Sequence, residues 1–291
     1  MKTIVVIHNL NSRGKHINEA YIKKLFEKKG IKFHYFQTKQ ISDIDEIIEK
    51  YNNPLEFQYC SIGGDGSLNA LINSLMNNNI TMPEVSCLPG GSGSDFIRTF
   101  ALPQNIEDAV EHLNNENFYE VDVGFIKNKT DAKYFINVLN IGFLASTVEV
   151  SEKFPNLFRA FRYPLSFWIK ILTARAKEMS ISNDEYEFSG KAFNICVCNA
   201  QYFGGGWNIS PKSSLQDGLF NIQVFAVTKI KAMHIFFLAK KGLHLRESSV
   251  KLKSLNQITV NSNDPIEIDG DFFGYGPADI IIKKCGIRFK I

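Results

Sequence analysis

The 291-residue chain lacks the features that mark several large classes of protein. Its apolar runs fall short of the roughly 18 residues that a membrane-spanning helix needs. The first residues contain too short an apolar run for a signal peptide, so we expect a cytoplasmic protein. The five cysteines form no CxxC pair, which fits reduced thiols rather than a zinc framework. The six histidines also lack a metal-ligand spacing such as HExxH.

An excess of charge of one sign is missing as well. The net charge is +3, which is too small to predict nucleic-acid binding, and we expect no nucleic-acid partner. The chain is 44% hydrophobic and 22% charged, and these shares are typical of a globular protein. Its length is sufficient for one large domain or two ordinary ones.

The first third of the chain alternates between strand-like and helix-like patterns. Such alternation predicts βαβ units and a mostly parallel sheet, here an α/β domain over residues 1–120. The predicted strands are Thr3–His8, Ile31–Phe36, Phe57–Ile62 and Glu84–Leu88, and the predicted helices are Ile17–Lys29, Ile44–Tyr51 and Leu68–Met76.

From about Val121 the pattern becomes rich in strands and predicts a sandwich-like domain over residues 121–291. The predicted strands are Tyr119–Ile126, Tyr134–Asn140, Ala192–Asn199, Leu219–Val227, Gln257–Val260 and Ile266–Ile268. Two long helices are predicted near Phe158–Lys177 and Lys231–Leu245. The last predicted strands, Ile280–Lys283 and Ile287–Ile291, are compatible with a return to the first domain.

A glycine-rich turn lies between the third predicted strand and the helix after it. It reads Gly63-Gly64-Asp65-Gly66-Ser67. Glycines let the backbone turn tightly and approach a ligand, and the following helix offers unpaired N–H groups to phosphate oxygens. A carboxylate among such glycines would repel a phosphate unless it acts through a bound cation or transfers a proton. The alternative is an ordinary glycine-rich connection with Ser67 as a helix cap.

Two further polar turns follow the first and fourth predicted strands. They cover residues 9–15 and 89–96. Ligands of open α/β sheets bind beyond the carboxyl ends of the strands, so the three turns together predict a nucleotide cleft. Each turn alone would more often be a surface loop.

These turns resemble motifs of the diacylglycerol kinase catalytic-domain family. The run GGDGSLN at residues 63–69 resembles its GGDGT-x-N signature, and residues 89–98 resemble its P-x-G-T-G-N-D-F-x-R segment. Residues 9–15 resemble its N-P-x-S-G-K loop. Further family motifs follow in order over most of the chain: Val121-Asp122-Val123-Gly124, Phe135-Ile136-Asn137, Gly204-Gly205-Gly206, Asp217-Gly218-Leu219-Phe220 and Ile268-Asp269-Gly270-Asp271.

The resemblance implies a Rossmann-like α/β N-terminal domain of the NAD kinase and diacylglycerol kinase type and a β-rich sandwich C-terminal domain. It also implies an ATP- and Mg²⁺-dependent lipid kinase. The residues implied for ATP are Asn9, Ser12, Gly14, Thr38, Gly63, Gly64, Asp65, Gly66, Ser67, Asn69 and Ser92. The implied Mg²⁺ ligands are Asp217 and the carbonyls of Ser214 and Leu219.

The resemblance assigns catalytic roles to two aspartates. Asp271 would be the general base, and Asp65 would organise the phosphate or its magnesium. Several positions depart from the family pattern. Asp271 stands where glutamate is usual, Ser94 replaces an asparagine, and Ala70 replaces a frequent glutamate. Ser67 and Ser92 replace threonines but keep hydroxyls, and Leu10 replaces a proline.

A segment with aromatic and basic residues bears on the lipid. Leu165, Trp168, Ile169 and Leu172 share one face of a predicted helix that also carries Lys170. Such a helix fits either peripheral association with the inner face of a membrane, where the lipid substrate lies, or packing in a core. A homodimer is left open.

Two alternatives to a lipid kinase remain open from sequence. One is an NAD kinase, because related kinases share GGDG followed by Ser or Thr. The other is a nucleotide- or lipid-binding module without turnover, against which the three aspartates Asp65, Asp217 and Asp271 count. The acceptor lipid is also open among diacylglycerol, a sphingoid base, ceramide and a polyprenol.

Overall fold

The computed structural model describes residues 2–10, 17–90, 94–155 and 161–291. The chain forms two compact units, Met1–Val123 with Lys283–Ile291 and Gly124–Ile282. The helices are α1 (Glu19–Lys28), α2 (Ile41–Lys50), α3 (Asp65–Asn77), α4 (Asp95–Thr99), α5 (Ile106–His112), α6 (Phe143–Glu152), α7 (Arg162–Thr173) and α8 (Lys229–Ala239). Among the described residues, none of the helices combines the length and hydropathy needed to cross a bilayer.

The strands divide between the two units, apart from β5 and β18, which each contribute to both. They are β1 (Thr3–Asn9), β2 (Phe33–Thr38), β3 (Phe57–Gly63), β4 (Glu84–Pro89), β5 (Phe118–Asn128), β6 (Ala132–Phe135), β7 (Val138–Gly142), β8 (Lys177–Ser182), β9 (Glu187–Ala192), β10 (Asn194–Cys198), β11 (Tyr202–Phe203), β12 (Trp207–Asn208), β13 (Phe220–Phe225), β14 (Val250–Leu255), β15 (Gln257–Val260), β16 (Pro265–Ile268), β17 (Asp271–Tyr275) and β18 (Ala278–Lys290).

The first unit contains a parallel sheet in the order β2-β1-β3-β4, as the alternation in the sequence predicts. The end of β18 continues this order and runs parallel to β4. Residues 4–7 of β1 are buried because helices cover the sheet. Ile22 and Phe26 of α1, one helical turn apart, pack into this core.

The second unit is a β-sandwich, as predicted. An antiparallel sheet in the order β14-β13-β10-β7-β16-β17 packs against strands in the order β18-β15-β8-β9. The core between them contains Leu139, Ile195 and Ile222 from the first sheet and Ile181 and Ile258 from the second. Strands β10 and β13 are buried at every position, since α7 and α8 cover the other face of their sheet. Strand β13 still alternates between apolar and polar residues, and its polar Asn221 and Gln223 are buried under this cover.

The predicted strand Tyr134–Asn140 is wrong as a single element. It forms two strands, β6 and β7, with a break at Ile136 and Asn137. At this break the N–H groups of Ile136, Asn137 and Val138 donate to the carboxylate of Asp269 instead of a neighbouring strand. The prediction failed because this partner lies more than 130 residues further along the chain.

The two long predicted helices end earlier than expected. Helix α7 ends at Thr173, and Lys177 already begins β8; predicted helical residues 158–160 lie outside the described residues. Helix α8 ends at Ala239, and Gly242 has φ 70° before a 3-10 helix at Leu243–Arg246. The left-handed conformation of Gly242 stops the α-helix there. Helix α6 was not predicted.

The last two predicted strands are one continuous strand, β18. Its residues Ala278–Ile281 pair with β15 in antiparallel orientation, and its residues Arg288 and Phe289 pair with β4 in parallel orientation. Residues from Lys283 onward belong to the first unit, so the chain does return there.

Candidate active site

The ends of β1 and β2 lie together with the glycine turn after β3 in the first unit. Asn9 and Thr38 are register partners at the ends of β1 and β2. The Asn9 Nδ2 donates to the Ser67 Oγ at 3.0 Å, which joins the first strand end to the glycine turn. Thr38, Ser67 and Asn69 are buried at 2%, 8% and 4% exposure. Four of the residues predicted to contact ATP therefore form one local cluster.

The turn after β4 lies next to the glycine turn. Gly63 and Pro89 are register partners, and the Gly90 N–H donates to the Gly63 carbonyl at 3.0 Å. A Cβ on Gly90 would stand 3.1 Å from the Gly63 nitrogen, which explains why glycine fits this close approach. Ser12, Gly14 and Ser92, also predicted to contact ATP, lie outside the described residues.

The Asp65 carboxylate joins the two turns through its hydrogen bonds. Its Oδ2 accepts the Asp95 N–H at 2.8 Å, and its Oδ1 accepts the Phe96 N–H at 3.0 Å. These N–H groups belong to the first two residues of α4, and the Ser94 side chain at its N-cap makes no capping hydrogen bond. Asp65 thus satisfies the N-terminus of another helix and fixes the start of the segment after β4. The sequence analysis did not assign this positioning role.

The glycine turn leaves room for a ligand at its centre. Gly64 precedes α3, whose first residues are Asp65 and Gly66. Among the described residues, which leave out 11–16 and 91–93, no atom lies within 4 Å of a Cβ placed on Gly66, so they leave the space beside it open. The N-terminus of a 13-residue helix beside open space offers N–H donors and positive potential to an anion. This geometry suits a phosphate group.

The predicted magnesium ligands lie in an exposed turn before β13 in the second unit. Asp217 is exposed, and its Oδ1 accepts the Leu219 N–H at 3.0 Å. Gly218 follows with φ 72°, a conformation that closes the turn. Oxygen donors from a carboxylate and from the Ser214 and Leu219 carbonyls, open to water, fit the preference of Mg²⁺ for oxygen ligands and retained waters.

Buried polar contacts anchor the chain just before the Asp217 turn. The Ser213 Oγ donates to the Ser210 Oγ at 2.9 Å and accepts from the Asn221 Nδ2 at 3.2 Å. Gln223 donates to the Ile209 carbonyl at 2.9 Å and accepts from the His244 Nε2 at 2.9 Å. Burial lowers the pKa of His244 to about 4, so this ring is neutral. The chain segment that leads into the Asp217 turn is therefore held in place.

Asp269 fixes a second turn in the same unit. Its carboxylate accepts three N–H groups, from Ile136 at 2.9 Å, Asn137 at 2.9 Å and Val138 at 3.0 Å. Burial raises the pKa of Asp269, and these three hydrogen bonds act in the opposite direction. Asp269 and Gly270 have φ values of 51° and 97°, as a two-residue hairpin turn between β16 and β17 requires.

Asp271, the predicted base, follows directly at the start of β17. Its side chain is 68% exposed and lies 3.7 Å from the Lys133 ammonium. An exposed carboxylate on a fixed hairpin is able to receive a proton from a hydroxyl that approaches from solvent or from a lipid. The two aspartates of this motif therefore differ: the half-buried Asp269 binds backbone N–H groups, and Asp271 is exposed.

Glu267 is a buried acid that the sequence analysis missed. Its Oε2 accepts the Asn140 Nδ2 at 2.7 Å, and its Oε1 accepts the Gly270 N–H. Asn140 continues the network through its Oδ1, which accepts from Asn194 and Cys196. Burial raises the pKa of Glu267 to about 8. The only sequence signal was a glutamate between two core isoleucines, which strand alternation places on the opposite face of the sheet.

An apolar cavity lies beside α7 and α8 in the second unit. Its larger part has a volume of about 290 Å³, and an adjoining part has about 60 Å³. The Phe236 ring stands 4.4 Å, between centroids, from both Phe167 and Trp207. Residues that line both parts are Leu144, Phe167, Phe203, Trp207, Met233 and Phe236. A cavity with such walls accepts a hydrocarbon chain rather than a polar ligand.

Two family matches together cover most of the chain. Residues 3–126 match the diacylglycerol kinase catalytic domain, and residues 137–286 match the YegS C-terminal NAD kinase beta sandwich-like domain. The chain belongs to the diacylglycerol kinase catalytic-domain family. It is a lipid kinase, and ATP is the phosphate donor that this family implies.

Individual relatives agree with this family. A diacylglycerol kinase of Staphylococcus saprophyticus is 26% identical over 272 residues, covering 90% of this chain and 86% of the relative. One of Staphylococcus aureus is 25% identical over 270 residues, covering 90% and 82%. A match this long supports the assignment of the whole chain, not only of its glycine turn.

Solved structures support the fold of this lipid kinase. A crystal structure of a diacylglycerol kinase from Bacillus anthracis has a TM-score of 0.74 at 19% identity, covering 99% of this chain and 96% of that one. Yeast NADH kinase complexed with NADH has a TM-score of 0.50 at 11% identity, covering 99% and 83%. At these identities both likenesses show the fold alone, and the NADH kinase carries no claim about the substrate.

Asp65→Ala tests the positioning role of that carboxylate in the lipid kinase. Losing two charge-assisted hydrogen bonds to helix N–H groups should lower the free energy of unfolding by about 1–2 kcal/mol. It should also raise the KM for ATP, because the segment that begins at Asp95 loses its anchor. Urea unfolding and steady-state kinetics measure the two effects.

Asn105→Ala is the matched control. The Asn105 Oδ1 also accepts a backbone N–H, from Asp108 at 2.9 Å, and it caps α5, a helix without any of the residues predicted to contact ATP. This variant should lose stability and keep the KM for ATP. Equal kinetic effects in the two variants would contradict a specific role for Asp65.

Glu267 predicts a pH dependence of stability. Folded Glu267 keeps its proton up to about pH 8, whereas an unfolded glutamate releases it near its ordinary pKa of 4.5. Between these values the folded state binds the extra proton, so its free energy of unfolding should decrease as pH rises, by up to about 1.4 kcal/mol per pH unit. Urea unfolding from about pH 5 to about pH 8 measures this slope.

Glu267→Gln is the control for this dependence. Glutamine has the same shape and does not titrate, so the contribution of residue 267 to the slope should vanish. The difference between the wild type and the variant should then change steadily over the same pH window. Parallel pH profiles for the two proteins would show that Glu267 is already ionised in the fold.

Proposed function

We propose that this lipid kinase transfers the γ-phosphate of ATP to the free hydroxyl of diacylglycerol, with Mg²⁺ bound at the Asp217 turn. The observation that carries the choice of acceptor is the apolar cavity beside α7 and α8. Its walls suit the acyl chains of a lipid and offer little to a polar acceptor such as NAD. The curated relatives named diacylglycerol kinase support the same acceptor.

The donor side of the proposal rests on the glycine turn. The ATP phosphates bind beside Gly66, where space is open, and the N–H groups at the start of α3 bind their oxygens. Asn9, Thr38 and Ser67 supply further polar groups at the same strand ends. Asp65 acts indirectly, because its carboxylate holds the N-terminus of α4.

The proposed metal site consists of hard oxygen donors. The Asp217 carboxylate and the Ser214 and Leu219 carbonyls would hold Mg²⁺, and the exposure of Asp217 would leave room for the waters that this ion retains. When bound, the ion neutralises charge on the phosphates. The buried contacts of Ser213 and Gln223 keep the chain before this turn in place.

The transfer breaks one bond and forms one. The lipid hydroxyl oxygen bonds to the γ-phosphorus while the bond from that phosphorus to the β,γ-bridging oxygen breaks, and ADP leaves with the electron pair. Asp271 accepts the hydroxyl proton as the new bond forms. The product is a lipid phosphate monoester. The hydrogen bonds of Asp269 fix the hairpin on which Asp271 stands.

A transfer assay with γ-labelled ATP tests the acceptor. Separate reactions contain dispersed diacylglycerol, ceramide, sphingosine, a polyprenol or NAD. Label should appear in phosphatidate and depend on added magnesium. Label in another lipid phosphate would replace diacylglycerol as the acceptor, and label in NAD alone would contradict the proposal.

Met233→Trp tests the role of the cavity in this reaction. Met233 lines both parts of the cavity, so a larger side chain should narrow it and raise the KM for long-chain diacylglycerol by about tenfold, with an unchanged KM for ATP. Ile41→Trp is the control, because Ile41 is 66% exposed on α2 in the other unit. Equal effects of the two variants would count against acyl binding in the cavity.

A further inference from the structure

Helices α7 and α8 form a surface with one sign of charge. Residues 161–177 contain four Lys or Arg, residues 228–246 contain five, and neither stretch contains Asp or Glu. The whole chain has a net charge of only +3, so its positive charge is concentrated here. Arg175, Lys240 and Lys241 are exposed. An anionic surface is the complementary partner of such a patch.

The same two helices expose large apolar side chains. On α7, Trp168 is 55% exposed and Leu172 is 75% exposed. On α8, Ile230 is 82% exposed and Phe237 is 68% exposed. Cations and apolar side chains mixed on one surface are typical of helices that lie in the interface of a membrane, where tryptophan is also enriched.

Direct contacts hold the two helices side by side. The Lys229 Nζ donates to the Leu172 carbonyl at 2.6 Å, and the Phe167 and Phe236 rings contact each other at a tilt of 32°, with centroids 4.4 Å apart. Trp168 and Phe237 both line the mouth of the apolar cavity, so the exposed residues of α7 and α8 belong to one surface. We call this surface the α7–α8 face; it consists of the exposed residues of the two helices and of Arg175, Lys240 and Lys241, which follow them in the chain.

Nearby carboxylates are engaged with partners of their own. Glu149 of α6, which lies near Lys170, is paired with Lys153 at 2.8 Å. Glu247 is paired with Lys231 at 3.3 Å, and Asp264 is paired with Lys177 at 3.0 Å. These pairs use two of the nine cations of the stretches, and the face keeps an excess of positive charge.

We infer that the α7–α8 face docks on the surface of a bilayer that contains anionic phospholipids. The cations bind the headgroups, and Leu172 and Ile230 enter the boundary between headgroups and acyl chains. The inference deepens the proposed function and rests on it in one respect: docking brings the mouth of the cavity, between Trp168 and Phe237, to the lipid that the enzyme phosphorylates.

Vesicle co-sedimentation without ATP tests the docking alone. The full chain should bind phosphatidylcholine vesicles that contain phosphatidylglycerol more tightly than pure phosphatidylcholine vesicles, and added salt should weaken the difference. Leu172→Glu with Ile230→Glu should weaken binding by about tenfold or more, since two apolar anchors become anionic. Neither residue lines the cavity.

A second pair of variants tests the charge of the face. Lys240→Glu with Lys241→Glu should weaken binding by about tenfold or more on vesicles with phosphatidylglycerol and change little on pure phosphatidylcholine. Lys24→Glu with Lys32→Glu is the matched charge control, and Leu55→Glu is the matched apolar control, since Leu55 is 82% exposed in the other unit. Both controls should bind as the wild type does.

Activity on a dissolved short-chain diacylglycerol separates docking from catalysis. The variants of the α7–α8 face should keep this activity and lose activity on vesicles. If the wild type phosphorylates the dissolved diacylglycerol but does not bind vesicles, the docking is overturned and the proposed function stands. If it binds vesicles but phosphorylates no diacylglycerol, the proposed function is overturned and the docking stands. Equal losses in the control variants would overturn the docking. The docking would also be overturned if Leu172→Glu with Ile230→Glu left vesicle binding unchanged and converted a dimer to a monomer, because the face would then be an interface between two copies of the chain.

Discussion

The three hydrogen bonds that Asp269 accepts from the N–H groups of residues 136–138 are the interaction on which the second unit depends. They connect the two residues that separate β6 from β7 to the hairpin between β16 and β17. A carboxylate that loses part of its hydration needs hydrogen-bond partners, and these three donors supply them. Since Asp271 begins the strand after this hairpin, the position of the proposed base depends on the hydrogen bonds of Asp269.

The first unit uses the same physical device. Asp65 stands in the glycine turn, yet its carboxylate accepts the N–H groups of Asp95 and Phe96 from the next turn of the sheet. Charge-assisted hydrogen bonds thus add to the apolar packing of Phe96, which contacts the rings of Phe100 and Phe289. Backbone N–H groups of the glycine turn remain near the open space beside Gly66. In both units an aspartate from a short motif organises backbone that lies far away in the sequence.

Local patterns were sufficient for the parallel strands of the first unit and for the glycine turn, because hydrophobic periodicity and turn glycines act over a few residues. They were insufficient where a distant group decides the structure. The break between β6 and β7 follows from Asp269, and the burial of Glu267 follows from its place on the covered face of a sheet. Motif order supplied the candidate residues of the site, and their roles stay predictions. It did not predict that Asp65 and Asp269 act through hydrogen bonds to backbone.

Replacing Asp271 by asparagine tests most directly the claim that Asp271 accepts the proton while Asp269 only positions the hairpin. The measurement is the kcat for transfer of labelled phosphate to a dissolved short-chain diacylglycerol, together with the KM for ATP and the midpoint of urea unfolding. The account predicts that kcat falls by roughly 10²–10⁴-fold, since the proton acceptor is lost. The KM and the midpoint should stay close to their wild-type values, because Asp271 is exposed. An unchanged kcat would contradict the account.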